Sequence, residues 1–112
     1  MSEQAFLVLT ALVEEAKHGY ALVQAVETLS AGRVRLPVAT LYGVLDRLLA
    51  DGLVERDREE IHNGRLRRYY RLTDEGATAL AVEAQRLAAN VRVATTALRA
   101  RGVRTVPAGG LA

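Results

Sequence analysis

At 112 residues the chain is the size of one domain. It has no cysteine, which excludes disulfides, thiolate metal sites and thiol redox sensing. Its net charge is only +2 with a pI near 9.4, and half its residues are hydrophobic but 4% aromatic, so a core of Leu, Val and Ala is expected, a composition that suits helices. No stretch approaches the roughly 20 apolar residues of a membrane span. The opening "MSEQAFLVLTALVEE" has no basic segment before its apolar run, so no secretory leader is expected and the chain is placed in the cytoplasm, without a membrane partner.

Ser2 is a capping residue for a first helix, with Glu3 and Gln4 in its first turn. Phe6, Leu7, Val8, Leu9, Ala11, Leu12 and Val13 make that helix apolar nearly all round. A helix apolar on every side is covered on every side. A domain this small is not expected to cover it alone, so Phe6 and Leu9 are assigned to a dimer interface. "EEAKHGY" is a short break, and a second helix follows over about 18–30, with Tyr20, Leu22, Val23, Val26 and Leu29 at helical spacing and Gly32 as its left-handed stop.

A third helix has Pro37 in its first turn and a core stripe of Leu41, Val44, Leu45, Leu48 and Leu49. Gly52 ends it, and Leu53 supplies the apolar contact that follows such a stop. "LVERDREE" and "RLRRYYRL" then read as two strands joined by Asn63-Gly64, a hairpin turn signal. Alternation points Tyr70 and Leu72 inward and Arg67, Tyr69 and Arg71 outward on a two-stranded ribbon with one wet face. Thr73 caps a fourth helix, with Asp74 and Glu75 in its first turn, running to about Arg101 and stopped by Gly102. Along it Ala77, Leu80, Ala84, Leu87, Val91, Ala94 and Leu98 form a heptad seam. All of these from Leu80 onward are assigned to the dimer interface.

The order helix, helix, helix, hairpin, long helix is a winged helix-turn-helix followed by a dimerisation helix, mainly α with a small β-hairpin. The chain is divided into a DNA-binding domain at 1–73, a dimerisation helix at 74–101 and a disordered tail at 102–112. In a helix-turn-helix the second helix of the pair lies in the major groove. Val38, Ala39, Thr40, Tyr42, Gly43 and Arg47 lie largely opposite the core stripe and are short, polar or hydrogen-bonding, as that face requires. Arg65, Arg67 and Arg68 on the wing are assigned to phosphate. The plain alternatives are a Tyr42 packed at the core edge and a solvated ribbon whose arginines pair with Glu59 and Glu60. His18 reads as a structural or helix-start residue, His62 as wing solvent and Asn63 as a turn residue. Together they make no metal site, and no cofactor is expected. No Ser/His/Asp set or phosphate-cradling glycine loop is present, so no enzyme is expected.

"HGYALVQAVETLS", "VATLYGVLDRLLADGLVE" and "GRLRRYYRLTDEG" together resemble the PadR family of bacterial transcriptional regulators, over roughly residues 5–80. The single C-terminal helix resembles its shorter subgroup. The resemblance implies a homodimer in which the terminal helix packs on the partner, a palindromic double-stranded operator, and a repressor released by a small-molecule effector or another signal. Two positions depart from the pattern: Leu36 stands where the family often has Ser before the proline, and Ala39 where it has Gly before the Thr. A lost Ser cap is worth on the order of 1 kcal/mol. Some members hold flat aromatic compounds between tryptophans at the dimer centre, and this chain has no Trp, so that mode of sensing does not carry over. The rival reading is a winged-helix module for a protein partner, which would bind DNA weakly and without regard to sequence.

Overall fold

The structure, a computed structural model, describes residues 1–106. Residues 107–112 of the expected tail lie outside it. The chain forms α1 (Glu3–Ala11), β1 (Lys17–His18), α2 (Gly19–Leu29), α3 (Val38–Ala50), β2 (Val54–His62), β3 (Arg65–Leu72) and α4 (Asp74–Ala100). It divides into two compact units, one ending at Ala81 and one beginning at Val82.

In the first unit, Ser2 caps α1 by accepting a 3.0 Å hydrogen bond from the Ala5 amide at its Oγ. Val8 and Leu9 are fully buried with Leu22, Val26, Leu41 and Leu45 in one core. Leu9 therefore has no surface left to offer a second chain, and its assignment to a dimer interface is corrected: the chain covers this face of α1 itself. Phe6 is half-buried. Lys17 Nζ donates to the Ala11 carbonyl at 2.6 Å, tying off the open C-terminal end of α1.

The break before α2 contains a strand. Lys17 pairs with Tyr70 and His18 with Tyr69, so the sheet has three strands in the order β1-β3-β2, where a two-stranded ribbon was expected. His18 then caps α2, its Nδ1 accepting from the Ala21 amide at 3.3 Å. Leu22 and Val26 go inward, whereas Tyr20 and Leu29 are exposed. At the far end of α2, Ser30 is buried and its hydroxyl accepts from the Val34 amide at 2.9 Å, holding the turn between α2 and α3. The left-handed conformation begins one residue before Gly32, at Ala31 with φ 53°.

Pro37 is the residue before α3 rather than its first, and no side chain caps that end. Leu36, one residue before that cap position, is buried in the core. The stripe of α3 falls as its spacing dictates: Leu41, Leu45 and Leu48 are buried, and Val44 and Leu49 are half-buried. At its end the Leu53 amide donates to the Leu48 carbonyl at 3.0 Å across Gly52, whose φ is 73°.

That turn is also where α4 is anchored. Thr73 Oγ1 donates to the Gly52 carbonyl at 2.7 Å and accepts from the Gly76 amide at 2.9 Å. The Thr73 amide donates to the Leu53 carbonyl at 3.2 Å. Gly76 lies so close that a Cβ on it would stand 2.0 Å from the Leu53 carbonyl oxygen. Leu80 packs against the core of this unit, so it too is drawn into the chain's own interior.

In the second unit, Glu83 and Arg86 pair through two hydrogen bonds, 2.6 and 2.9 Å. Ala84, Leu87, Val91, Ala94 and Leu98 are exposed along the helix. The helix closes with the Val103 amide donating to the Leu98 carbonyl at 2.9 Å around Gly102.

Two glycine substitutions should move stability in opposite directions. Gly76→Ala forces a methyl into a backbone oxygen and should destabilise by about 1–3 kcal/mol. Gly43→Ala meets nothing within 4 Å inside a helix and should stabilise by roughly 0.5–1 kcal/mol. Urea denaturation of both variants beside the wild type measures the contrast.

Candidate nucleic-acid interface

The rotation of α3 exposes Val38, Ala39, Thr40, Tyr42, Gly43 and Arg47, so all six residues selected from the sequence share the uncovered side of one helix. Two more stand with them that sequence reasoning passed over, Asp46 and Ala50. Tyr42 serves packing as well. Its hydroxyl lies over Gly19, where a Cβ would come within 2.7 Å of it, so a larger residue at the start of α2 would displace the end of the Tyr42 side chain. The Tyr42 ring is thus held in place from below while its edge stays exposed.

The wing follows a less simple pattern. From Val54↔Leu72 to Arg56↔Tyr70 the strands run in one register, and from Glu59↔Arg68 to His62↔Arg65 they run one residue out of step. Asp57 and Arg58 form the bulge opposite Tyr69. Alternation along β3 then separates the three arginines selected from the sequence. Arg65 and Arg67 share a face with Tyr69, and Arg68 is on the other face with Leu66 and Tyr70.

Tyr69 was expected to point to water and does not: it is 9% exposed. The unexpected β1 sets the His18 ring edge-on to it at 5.3 Å, and the bulge lays the Arg58 guanidinium over its face at 3.8 Å. Its hydroxyl donates to Glu60, and that bond holds the Glu60 carboxyl below its ordinary range. Burial first, then the Arg67 guanidinium, lowers the pKa of His18, the same direction that favours the Nδ1 acceptor of the Ala21 amide. His18 is therefore a helix-start residue, and Tyr69 is the pillar behind it.

Ion pairs sort the cations of the wing. Arg71 bridges Glu55 at 2.7 Å and Asp57 at 3.0 Å, Arg58 pairs with Asp57 at 3.0 Å, and Arg68 lies 3.5 Å from Glu59. Glu60 faces Arg67 in register but is engaged by Tyr69. Among the described residues, Arg47 on α3 and Arg56, Arg65 and Arg67 on the wing have no ion pair. The solvated-ribbon alternative thus describes Arg68 and Arg71 but leaves Arg65 and Arg67 unneutralised. No group of carboxylates and histidines among the described residues is arranged to hold a metal.

A groove of about 510 Å³ runs between the start of α2 and the wing, lined by His18, Tyr20, Tyr42, His62, Arg65 and Arg67 among others. Tyr20, 69% exposed, is the functional candidate most clearly missed from the sequence, where its spacing placed it with the α2 core. Only its position as the second residue of α2, on the outer side of the helix, signals it. A second groove, of about 540 Å³, lies between the start of α1 and Thr40, Gly43 and Arg47. The outward side of α3 is flanked on both sides by concave surface.

Residues 8–82 match the family described as the transcriptional regulator PadR-like family. The chain belongs to this family. Its fold is similar to that of a PadR family transcription regulator from Clostridium difficile, with a TM-score of 0.73 at 22% identity, over 87% of this chain and 99% of that one. A PadR family regulator from Eggerthella lenta is 34% identical with a TM-score of 0.65, over 82% of this chain and 79% of that one. Bacillus subtilis PadR, solved in complex with operator DNA, matches with a TM-score of 0.63 at 21% identity, over 72% of this chain and 46% of that one. Among the described residues, no helix of this PadR-like protein is long and apolar enough to cross a membrane.

The pairing pattern yields a test that separates the wing arginines. Removing one arginine–phosphate interaction should lower the magnitude of the log K against log salt slope by about 0.9. Arg65→Ala and Arg67→Ala should each show that reduction in a salt titration of DNA binding. Arg68→Ala, already paired with Glu59, should change the slope by less.

Proposed function

We propose that the chain is a sequence-specific DNA-binding transcriptional repressor, acting as a homodimer on a palindromic operator. The observation that carries this is the uncovered side of α3, with unpaired Arg47 beside it and unpaired Arg65 and Arg67 on the adjoining wing. Guanidiniums without ion pairs in the two grooves that flank α3, Arg47 in one and Arg65 and Arg67 in the other, suit a polyanion, and the small outward residues Ala39 and Gly43 let a helix backbone approach base edges. In this reading Val38, Ala39, Thr40, Tyr42, Gly43 and Arg47 enter the major groove, and phosphate contacts from the wing fix the register. Membership in a family of transcriptional regulators supports it, as does the operator complex of Bacillus subtilis PadR.

The homodimer rests on α4. Leu87, Val91 and Leu98 are exposed at helical spacing, with Ala84 a turn before them and Ala94 between Val91 and Leu98, an apolar ridge that water does not favour. A second copy of the same ridge gives a two-fold interface, and a two-fold protein reads a palindrome. Residues 1–73 then serve as the DNA-binding domain and 74–101 as the dimerisation helix. A small molecule or another signal releases the repressor from its site, in line with the family resemblance.

Selection of bound fragments from the host genome with purified protein tests this reading, and a shared inverted repeat is the expected result. Weak binding blind to sequence would support a protein-binding module instead. On the recovered site, Thr40→Ala and Tyr42→Ala should each reduce the discrimination between operator and random duplex by roughly 1–3 kcal/mol. Tyr42→Phe keeps the ring over Gly19 and isolates the loss of the hydroxyl.

Leu87→Asp with Val91→Asp should convert the dimer to monomer, since the ridge would then bury unpaired charge. Sedimentation reads the outcome, and circular dichroism checks that the helix persists. A folded double variant that sediments as the wild-type dimer would remove α4 from the interface.

A further inference from the structure

Asp46 is exposed on α3 one residue before Arg47, and among the described residues its carboxylate has neither a hydrogen bond nor an ion pair. Arg56 and Arg68, on the inner face of the wing, share the surroundings of Tyr70 with it, yet neither closes to within ion-pair distance of it. At 3.6 residues per turn, the point of α3 farthest from the core stripe falls at Gly43, with Ala39 and Ala50 close beside it. Asp46 flanks this small-residue strip on the side of Tyr42, and Arg47 flanks it on the side of Thr40. A helix lowered into a groove on that strip brings both side chains to the floor of the groove, one anionic and one cationic.

An isolated carboxylate between two rows of phosphates is repelled unless a donor receives it. The major groove offers donors at two places, cytosine N4 and adenine N6. Adenine sets its N7 acceptor beside N6, which faces a carboxylate unfavourably, whereas cytosine presents its amino group without a neighbouring acceptor of its own. Arg47, directly next in sequence, carries the fork that matches O6 and N7 of guanine.

We propose that Asp46 is a specificity-determining residue that accepts from the N4 amino group of a cytosine in each operator half-site. This rests on α3 being the recognition helix. It assigns to one carboxylate the exclusion of thymine and guanine, which show only acceptors at that edge.

The test is selection from a random duplex library with the full chain as wild type, Asp46→Asn and Asp46→Ala. The residue is exposed, so all three should fold alike. The wild type should enrich cytosine at one position in each half-site, preferring it about tenfold or more over the other bases. Asp46→Asn should move that position toward adenine, whose N6 and N7 an amide takes together. Asp46→Ala should level that position and leave the others unchanged. A defined wild-type site with the same base preference in all three proteins overturns the inference while leaving the recognition helix standing. If the wild type selects no common site, the recognition-helix reading falls and this inference with it.

Discussion

The side chains Leu41, Leu45 and Leu48 are buried among Val8, Leu9, Leu22 and Val26. Each such burial contributes about 1.5–3 kcal/mol. Turning α3 by one residue would bring Tyr42 or Asp46 into the place of a leucine, so the rotation of the helix is set by several kilocalories. Its outward side is therefore a consequence of the core and not of anything it touches. Leu36 extends that core to the entry of the helix. Removing its side chain from water contributes about 1.5–3 kcal/mol and fixes the point at which the chain enters α3. The cap position itself is taken by Pro37, whose side chain has no acceptor, so the start of α3 has no side-chain cap.

The wing is governed by electrostatics, and there solvent weakens every pair. Arg71 with Glu55 and Asp57 is well formed, but Arg71 and Glu55 are about half exposed. Exposed pairs contribute little to stability. What they do accomplish is to remove charge: after Arg58, Arg68 and Arg71 are matched, Arg56, Arg65 and Arg67 remain without an ion pair on the ribbon, the last two near the Asn63-Gly64 turn. A near-neutral chain thereby presents a local cationic surface, which its overall charge of +2 does not reveal.

Features set by local chemistry were legible in the sequence. The α3 stripe, the Asn-Gly turn, the Thr73 cap and the Gly52 stop each follow from a few neighbouring residues, and the uncovered side of α3 followed from the stripe. Features that depend on distant parts of the chain were not. A two-residue strand at Lys17–His18 has no periodicity of its own and exists because β3 offers an edge. Tyr69 was placed in water because strict alternation was assumed, and both the bulge opposite it and β1 beside it break that assumption. Nothing near Ser30 in sequence marks its hydroxyl as the buried acceptor that closes the turn, because the bond is made to the Val34 amide beyond the helix end. Leu9 was offered to a partner because its own helix looked over-apolar, and only the packing of α2 and α3 shows that one chain suffices.

The anchoring of α4 connects these layers. Its first turn is fastened to the end of α3 by Thr73 on Gly52 and Leu53, and Gly76 closes the remaining space to less than the size of a methyl group. A joint made of backbone hydrogen bonds and direct backbone contact has little room to slide, because any relative shift breaks a bond or makes a clash. The last turn of α3 and the first turn of α4 therefore behave as one body. Leu48, in that last turn, belongs to the stripe that sets the rotation of α3, and Leu80, on α4, packs against the same core. The side of α3 that faces outward is thus held from two directions, by the leucines beneath it and by the helix that begins where the wing ends.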